Sequence, residues 1–149
     1  MSTTRTQFEN LRVYKLAERL ADEVWHVVLT WDHFPRETVG KQIVRAADSV
    51  GANIAEGTGR GSFQDNRRFV RMARGSLYET RYWLRRCHRR GLLTKEAVGK
   101  IRPLMDELSP KLNAYLRAIG LVTGTPRESG TTDNGQLTTN GQMATRNTK

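Results

Sequence analysis

Apolar positions recur at three- and four-residue steps along four stretches of the chain, a spacing that predicts four amphipathic helices. In the first, Val13, Tyr14, Ala17, Leu20, Ala21, Val24, Val28 and Trp31 share one face. Pro35, in "WDHFPRE", disfavours helix at Phe34 and places a turn there. The second helix then runs to about Gly57. Its inward face carries Gly40, Ile43, Val44, Ala47, Val50, Gly51 and Ile54, and the small members let a neighbouring helix approach closely.

"GTGRGS" follows. It lacks the lysine and the preceding strand of a phosphate-cradling loop, and is a helix-to-helix turn. Ser62, three residues before Asp65, has the form of a helix start. The third helix places Phe69, Val70, Ala73, Ser76, Leu77, Thr80, Leu84 and Cys87 on one side and stops at Gly91. Thr94 caps the fourth, in which Ala97, Val98, Ile101, Leu104, Met105, Leu108, Leu112, Tyr115, Leu116 and Ile119 keep the period. Pro103 and Pro110 should kink that helix or divide it in two. From Thr123 to Lys149, Thr, Gly, Asn and Gln replace large apolar residues, so this stretch is expected to be a disordered polar tail. The predicted fold is all-α: an antiparallel up-down four-helix bundle over residues 1–122, with the tail over 123–149.

Charge changes the picture more than overall composition does. The chain carries a formal net charge of +10, and within residues 1–122 only 13 acids face 22 basic residues, so the excess has no internal counter-charge. It is concentrated in "RRFVRMARGSLYETRYWLRRCHRR", Arg67 to Arg90, which holds nine arginines and one acid, Glu79. At 100° per residue, Arg67, Arg71, Arg74, Arg81, Arg85 and Arg89 fall in one sector of the third helix together with Tyr78, away from its apolar face. A guanidinium binds phosphate oxygens bidentately and stacks on exposed bases, so the stripe is a candidate nucleic-acid-binding surface. The alternative is a solvated face, or one paired with Glu18, Asp22 and Glu23 of the first helix.

A second polar feature is the ladder Arg45, Ser49, Asn53 and Glu56 on the outer side of the second helix. Glu56 lies at a helix C-terminus, where its charge is unfavourable without a partner, and an inter-subunit hydrogen-bond network would supply one. Ligand contact and catalysis are the competing readings. No nucleophile and base are paired by motif, so no catalytic residues are assigned and no enzyme is expected. His26, His33 and His88 are scattered, and neither metal nor other cofactor is expected. Cys87, the one cysteine, faces the core as a small apolar residue. Met72 and Trp83 on one flank of the third helix, with Leu16, Val27 and Trp25 on flanks of the first, exceed what a single core needs and predict homo-oligomerisation. No signal peptide or membrane span is evident, and a cytoplasmic location is expected.

The run Arg45, Ala46, Ala47, Ser49, Asn53, Ile54, Ala55, Glu56, Gly57, with the later Gly75, Ser76, Leu77 and Glu79, resembles a bacterial four-helix-bundle family. Its members include the protein encoded in intervening sequences of 23S ribosomal RNA genes and, more distantly, the accessory variability determinant of diversity-generating retroelements. The resemblance spans roughly Phe8 to Gly120. The intervening-sequence branch brings no defined activity, whereas the retroelement branch implies a basic homopentameric barrel that binds nucleic acid and a reverse transcriptase. "TRYWLRRCHRR" stands where the intervening-sequence branch has a more acidic and aliphatic run, a shift toward nucleic-acid binding. The leading expectation is a non-enzymatic, homo-oligomeric accessory or scaffold protein that binds RNA or DNA with weak sequence preference. A module docking an acidic protein partner is the alternative.

Overall fold

The computed structural model describes residues 8–123. A short 3-10 turn at Phe8–Asn10 leads into α1, Arg12–Leu29. The second helical run, α2, begins with one α-helical turn at His33–Pro35, widens into a π turn at Arg36–Gly40 and continues as α-helix through Lys41–Thr58. α3 spans Phe63–Arg89 and α4 spans Lys95–Thr123. The described residues contain no strand, and α1 packs on α2, α2 on α3, α3 on α4 and α4 back on α1. Short connections make sequential neighbours antiparallel, so this is the up-down four-helix bundle that the periodicity predicts.

The core forms where the four apolar faces meet. Leu20, Val24, Ile43, Val50, Ile54, Val70, Leu77, Leu108 and Leu112 are all essentially inaccessible to solvent. Leu16, predicted to lie on a surplus flank of α1, is fully buried and belongs to this core. The apolar sector of α1 is wider than its most regular row because two helices, α2 and α4, cover it. Val27 packs partly buried against the same core, whereas Trp25 and Met72 stay about half exposed. Gly40 and Gly57 are the closest approaches: a Cβ on Gly40 would stand 2.8 Å from Cγ1 of Val28, and one on Gly57 would stand 2.5 Å from Oδ1 of Asn66.

The ends follow local chemistry. The Ser62 hydroxyl accepts from the Asp65 amide at 3.1 Å, and that of Thr94 accepts from the Ala97 amide at 3.0 Å, each satisfying a first-turn donor. At the end of α3, Gly91 takes φ +73, so that its N–H reaches the carbonyl of His88 and the Leu92 N–H reaches that of Cys87. This paired closure needs a left-handed residue, which glycine accepts without strain.

Two expectations for the prolines are corrected, the turn at Phe34 and the division of the fourth helix into two pieces. Phe34 and Pro35 are helical, because Pro35 stands in the first turn after Asp32, where a backbone N–H has no intrahelical partner to lose. Pro103 and Pro110 lie inside one continuous helix, α4. Seven residues apart, they share its exposed face, where the freed carbonyls of Gly99 and Asp106 meet water while Ile101, Leu104, Met105 and Leu108 hold the opposite face in the core. α4 keeps helical geometry through Thr123. Residues 124–149, and with them almost all of the predicted tail, lie outside the described residues.

Candidate nucleic-acid interface

The arginine stripe lies on one uninterrupted helix. From Arg67 to Arg89 the rise along α3 is roughly 33 Å, so the spacing of the charges is set by a single rigid element. Arg71, Arg81, Arg85 and Arg89 are exposed. Arg67 and Arg74, by contrast, are half-buried against α4. Arg74 donates to Oδ1 of Asn113 at 3.2 Å, and Arg81 reaches the Ser109 hydroxyl at 3.4 Å. The stripe therefore borders the α3–α4 seam rather than standing free on α3. Tyr78 sits half exposed among these charges, with the Arg81 guanidinium 5.8 Å from its ring centroid.

Ion pairs occur throughout the rest of the chain. Arg12 forks onto Glu107 at 2.8 to 3.0 Å, Arg60 pairs with Glu56 at 3.1 Å, and Arg68 lies 3.7 Å from Asp65. Among the described residues, none of the six stripe arginines has a carboxylate within 4.0 Å. The acids proposed as internal partners are elsewhere. Glu18 and Asp22 of α1 and Asp48 of α2 line a recess at the α1–α2 seam, on the opposite side of the four-helix ring from α3–α4. Partial desolvation there, reinforced by the Asp22 charge, raises the Asp48 carboxyl above its ordinary value although the residue stays largely exposed. Burial and the hydrogen bond to Glu18 push up the Tyr14 phenol. The bundle is thus electrically two-sided.

Toward its C-terminal end the stripe opens into a cleft of about 430 Å³ between α3 and α4. Leu84, Leu93, Val98, Ile101 and Met105 form its floor. Arg81, Arg85, His88 and Arg89 rise from the α3 side, with Arg102 and Asp106 opposite on α4. Arg102 has no counterpart among the residues selected from the sequence. It is a single basic residue beside a proline in α4, and only the packing of α4 on α3 brings it to the stripe.

The polar ladder on α2 is satisfied within the subunit. Ser49 donates to the Arg45 carbonyl at 2.8 Å, and Asn53 donates to the Ser49 carbonyl at 2.9 Å. Glu56 has its partner in Arg60, one turn further on, so an inter-subunit network is not needed to neutralise it. Arg45 extends to Glu79 of α3 at 3.9 Å, and the indole of Trp83 donates to the same carboxylate at 3.2 Å. This joins the two halves of the sequence motif into one surface patch, with no nucleophile and base set against each other. Cys87 is completely buried, and burial pushes its thiol up to about 11, so it is an inert core residue. The described residues hold no cluster of three or more metal-ligating side chains, and no helix among them is long and apolar enough to cross a membrane.

A bundle of four antiparallel helices with one strongly basic seam defines the class to which the molecule belongs. More narrowly, the profile of the 23S rRNA-intervening sequence protein family matches residues 9–114, and the chain belongs to that family. A crystal structure at 1.70 Å of a protein with unknown function from the S23 ribosomal protein family of Bacteroides thetaiotaomicron is similar to it. That structure superposes with a TM-score of 0.63 at 26% sequence identity, covering 70% of this chain and 98% of that chain. No curated protein matches the chain.

Proposed function

We propose that this protein is a non-enzymatic nucleic-acid-binding accessory or scaffold protein that works as a homo-oligomer, with the arginine stripe of α3 laid along a sugar–phosphate backbone. One observation carries the reading: six guanidinium groups share one face of a continuous helix without a carboxylate partner among the described residues. Unpaired charge held at this density repels itself, and a phosphate backbone relieves the repulsion by releasing condensed counterions. The exposed ring of Tyr78 among the arginines adds a platform on which a base can stack, whatever its sequence. Membership of a family named for ribosomal RNA intervening sequences is consistent with such a partner.

Assembly is the second part of the proposal. Met72 and Trp25 leave apolar surface uncovered, which supports a homo-oligomer. The resemblance to the retroelement accessory determinant favours a pentamer and a reverse transcriptase as the protein partner. In a ring, each subunit would contribute one stripe, and the summed sites would gain by multivalency what each lacks alone.

The test is a fluorescence-anisotropy titration of RNA and DNA, single- and double-stranded, over a range of salt concentrations, with light scattering on the same sample. Log affinity should fall linearly with log salt, and each Arg→Ala change at a contacting stripe position should lower that slope by about one. Sequence preference should be weak, because phosphate contacts position a strand without reading it. Absence of salt-sensitive binding to every form would overturn the reading and turn the stripe toward an acidic protein surface.

A further inference from the structure

The cleft at the C-terminal end of the stripe has a composition that a plain electrostatic surface does not need. We infer that it receives one unstacked nucleobase while the neighbouring phosphate rests on Arg85, Arg89 and Arg102, so that this face selects single-stranded over double-stranded nucleic acid. The inference rests on the nucleic-acid reading above and deepens it by naming the form of the partner.

The floor is aliphatic, with Ile101 and Met105 buried and Leu84, Leu93 and Val98 partly exposed. A ligand that covers it must present a flat or apolar face, and removing that floor from water is favourable in proportion to the area covered. The rim is cationic on the α3 side, and on the α4 side it carries one cation, Arg102, beside one carboxylate, Asp106. Arg85, Arg89 and Arg102 have neither hydrogen-bond nor ion-pair partners among the described residues, so their donors are available to an anion. A volume of about 430 Å³ lies in the range of pockets that enclose small organic ligands. An apolar face joined to a phosphate across a short polar spacer is the form of a nucleotide. A lipid also joins an apolar part to an anion, but the acyl chains that would cover the floor offer no hydrogen-bond donor to Asp106, the one carboxylate on the rim. The exocyclic amine of a base is a donor that an aspartate accepts.

The choice between strand forms follows from stacking. In a duplex each base is held between its neighbours and its apolar faces are covered, so only the outer phosphates can reach the stripe. In a single strand one base can turn out at modest cost and enter the cleft, adding contact that the duplex cannot make.

The experiment uses the full chain, a single-stranded oligonucleotide carrying one 2-aminopurine, and the duplex formed from the same strand. The single strand should bind about tenfold more tightly, and the 2-aminopurine emission should change on binding as the base leaves its stack. Two variants address the cleft without touching the six stripe positions. Val98→Phe fills the floor, and Arg102→Ala removes the α4 side of the rim. Val98→Phe should abolish the single-strand preference and the emission change while leaving duplex affinity and its salt slope in place, and its retained duplex binding also shows that the variant is folded. Arg102→Ala, which removes a phosphate contact, should reduce the preference and lower the single-strand salt slope by about one. Equal affinity of the unmodified protein for both forms, or a preference that both variants retain, would overturn the cleft while leaving the stripe reading intact. Salt-insensitive or absent binding of both forms would instead overturn the stripe and this inference with it.

Discussion

Gly57 of α2 packs directly against Asn66 and Phe69 of α3, and Gly57→Ala isolates that contact. In an open helix the change from glycine to alanine stabilises by about 1 kcal/mol, because alanine has less backbone freedom to lose. Here the new Cβ would stand 2.5 Å from Oδ1 of Asn66, 3.1 Å from Cβ of Phe69 and 3.2 Å from the Asn66 carbonyl oxygen. The amide oxygen alone could turn aside, since it is buried without a hydrogen-bond partner among the described residues. Cβ of Phe69 and the Asn66 carbonyl are carried by the α3 backbone, so relieving those contacts moves α3 away from α2. Overpacking of this kind costs about 1–3 kcal/mol. Set against the propensity gain, the net destabilisation is about 0–2 kcal/mol, with roughly 4 °C of melting temperature lost for each kcal/mol in a bundle of this size. Gly99→Ala is the matched control: Gly99 is helical and exposed, nothing lies within 4 Å of its added Cβ, and the propensity gain should appear undiminished. Thermal and urea unfolding followed by far-UV circular dichroism separates the two. If Gly57→Ala melts as high as Gly99→Ala, the close crossing of α2 and α3 is not there.

Three further expectations follow from named contacts. Trp31→Phe removes the indole N–H that donates to the Leu92 carbonyl at 2.9 Å, tying the end of α1 to the α3–α4 connection, and should cost about 1–2 kcal/mol by urea denaturation; an unchanged midpoint would deny the tie. Cys87, with its thiol near 11, presents about one thiolate in a thousand at pH 8, so Ellman's reagent should react with native protein only as fast as the bundle opens, and immediate reaction would place the thiol outside the core. Asp48 is raised in the folded state, so the native protein holds its proton more tightly than the unfolded chain and stability falls as pH rises from the unfolded carboxylate value, about 4, through the higher folded one. Asp48→Asn should therefore stabilise at neutral pH and lose its advantage below that window; the carboxylate is well exposed, so the gain is under about 0.5 kcal/mol, and a variant less stable than the parent at pH 7 would contradict the sign.

Much of the candidate site was readable before any packing was known. The arginine sector of α3 follows from the 3.6-residue period alone, as do the core faces of all four helices and the caps at Ser62, Thr94 and Gly91. These are local properties: they depend on where a residue stands around its own helix axis, or on hydrogen bonds reaching three to five residues along the chain. The family motif was likewise legible as a string, although only the packing of α2 on α3 brings its two halves together, with Arg45 3.9 Å from Glu79.

What needed the tertiary structure is whatever depends on the neighbour. Leu16 reads as a flank residue until α2 and α4 are both seen to cover α1. Pro103 and Pro110 read as breaks until their shared face is seen to point away from the core against which α4 packs as one continuous helix. Arg67 and Arg74 belong to the stripe by angle, yet they dock against α4, while Arg102 joins it from a different helix altogether. A helical period gives the azimuth of each side chain about its own axis and says nothing of which other axis lies beside it. The charge of this protein was therefore determined along the chain, and the seam and cleft in which that charge is gathered were decided by how α3 and α4 pack.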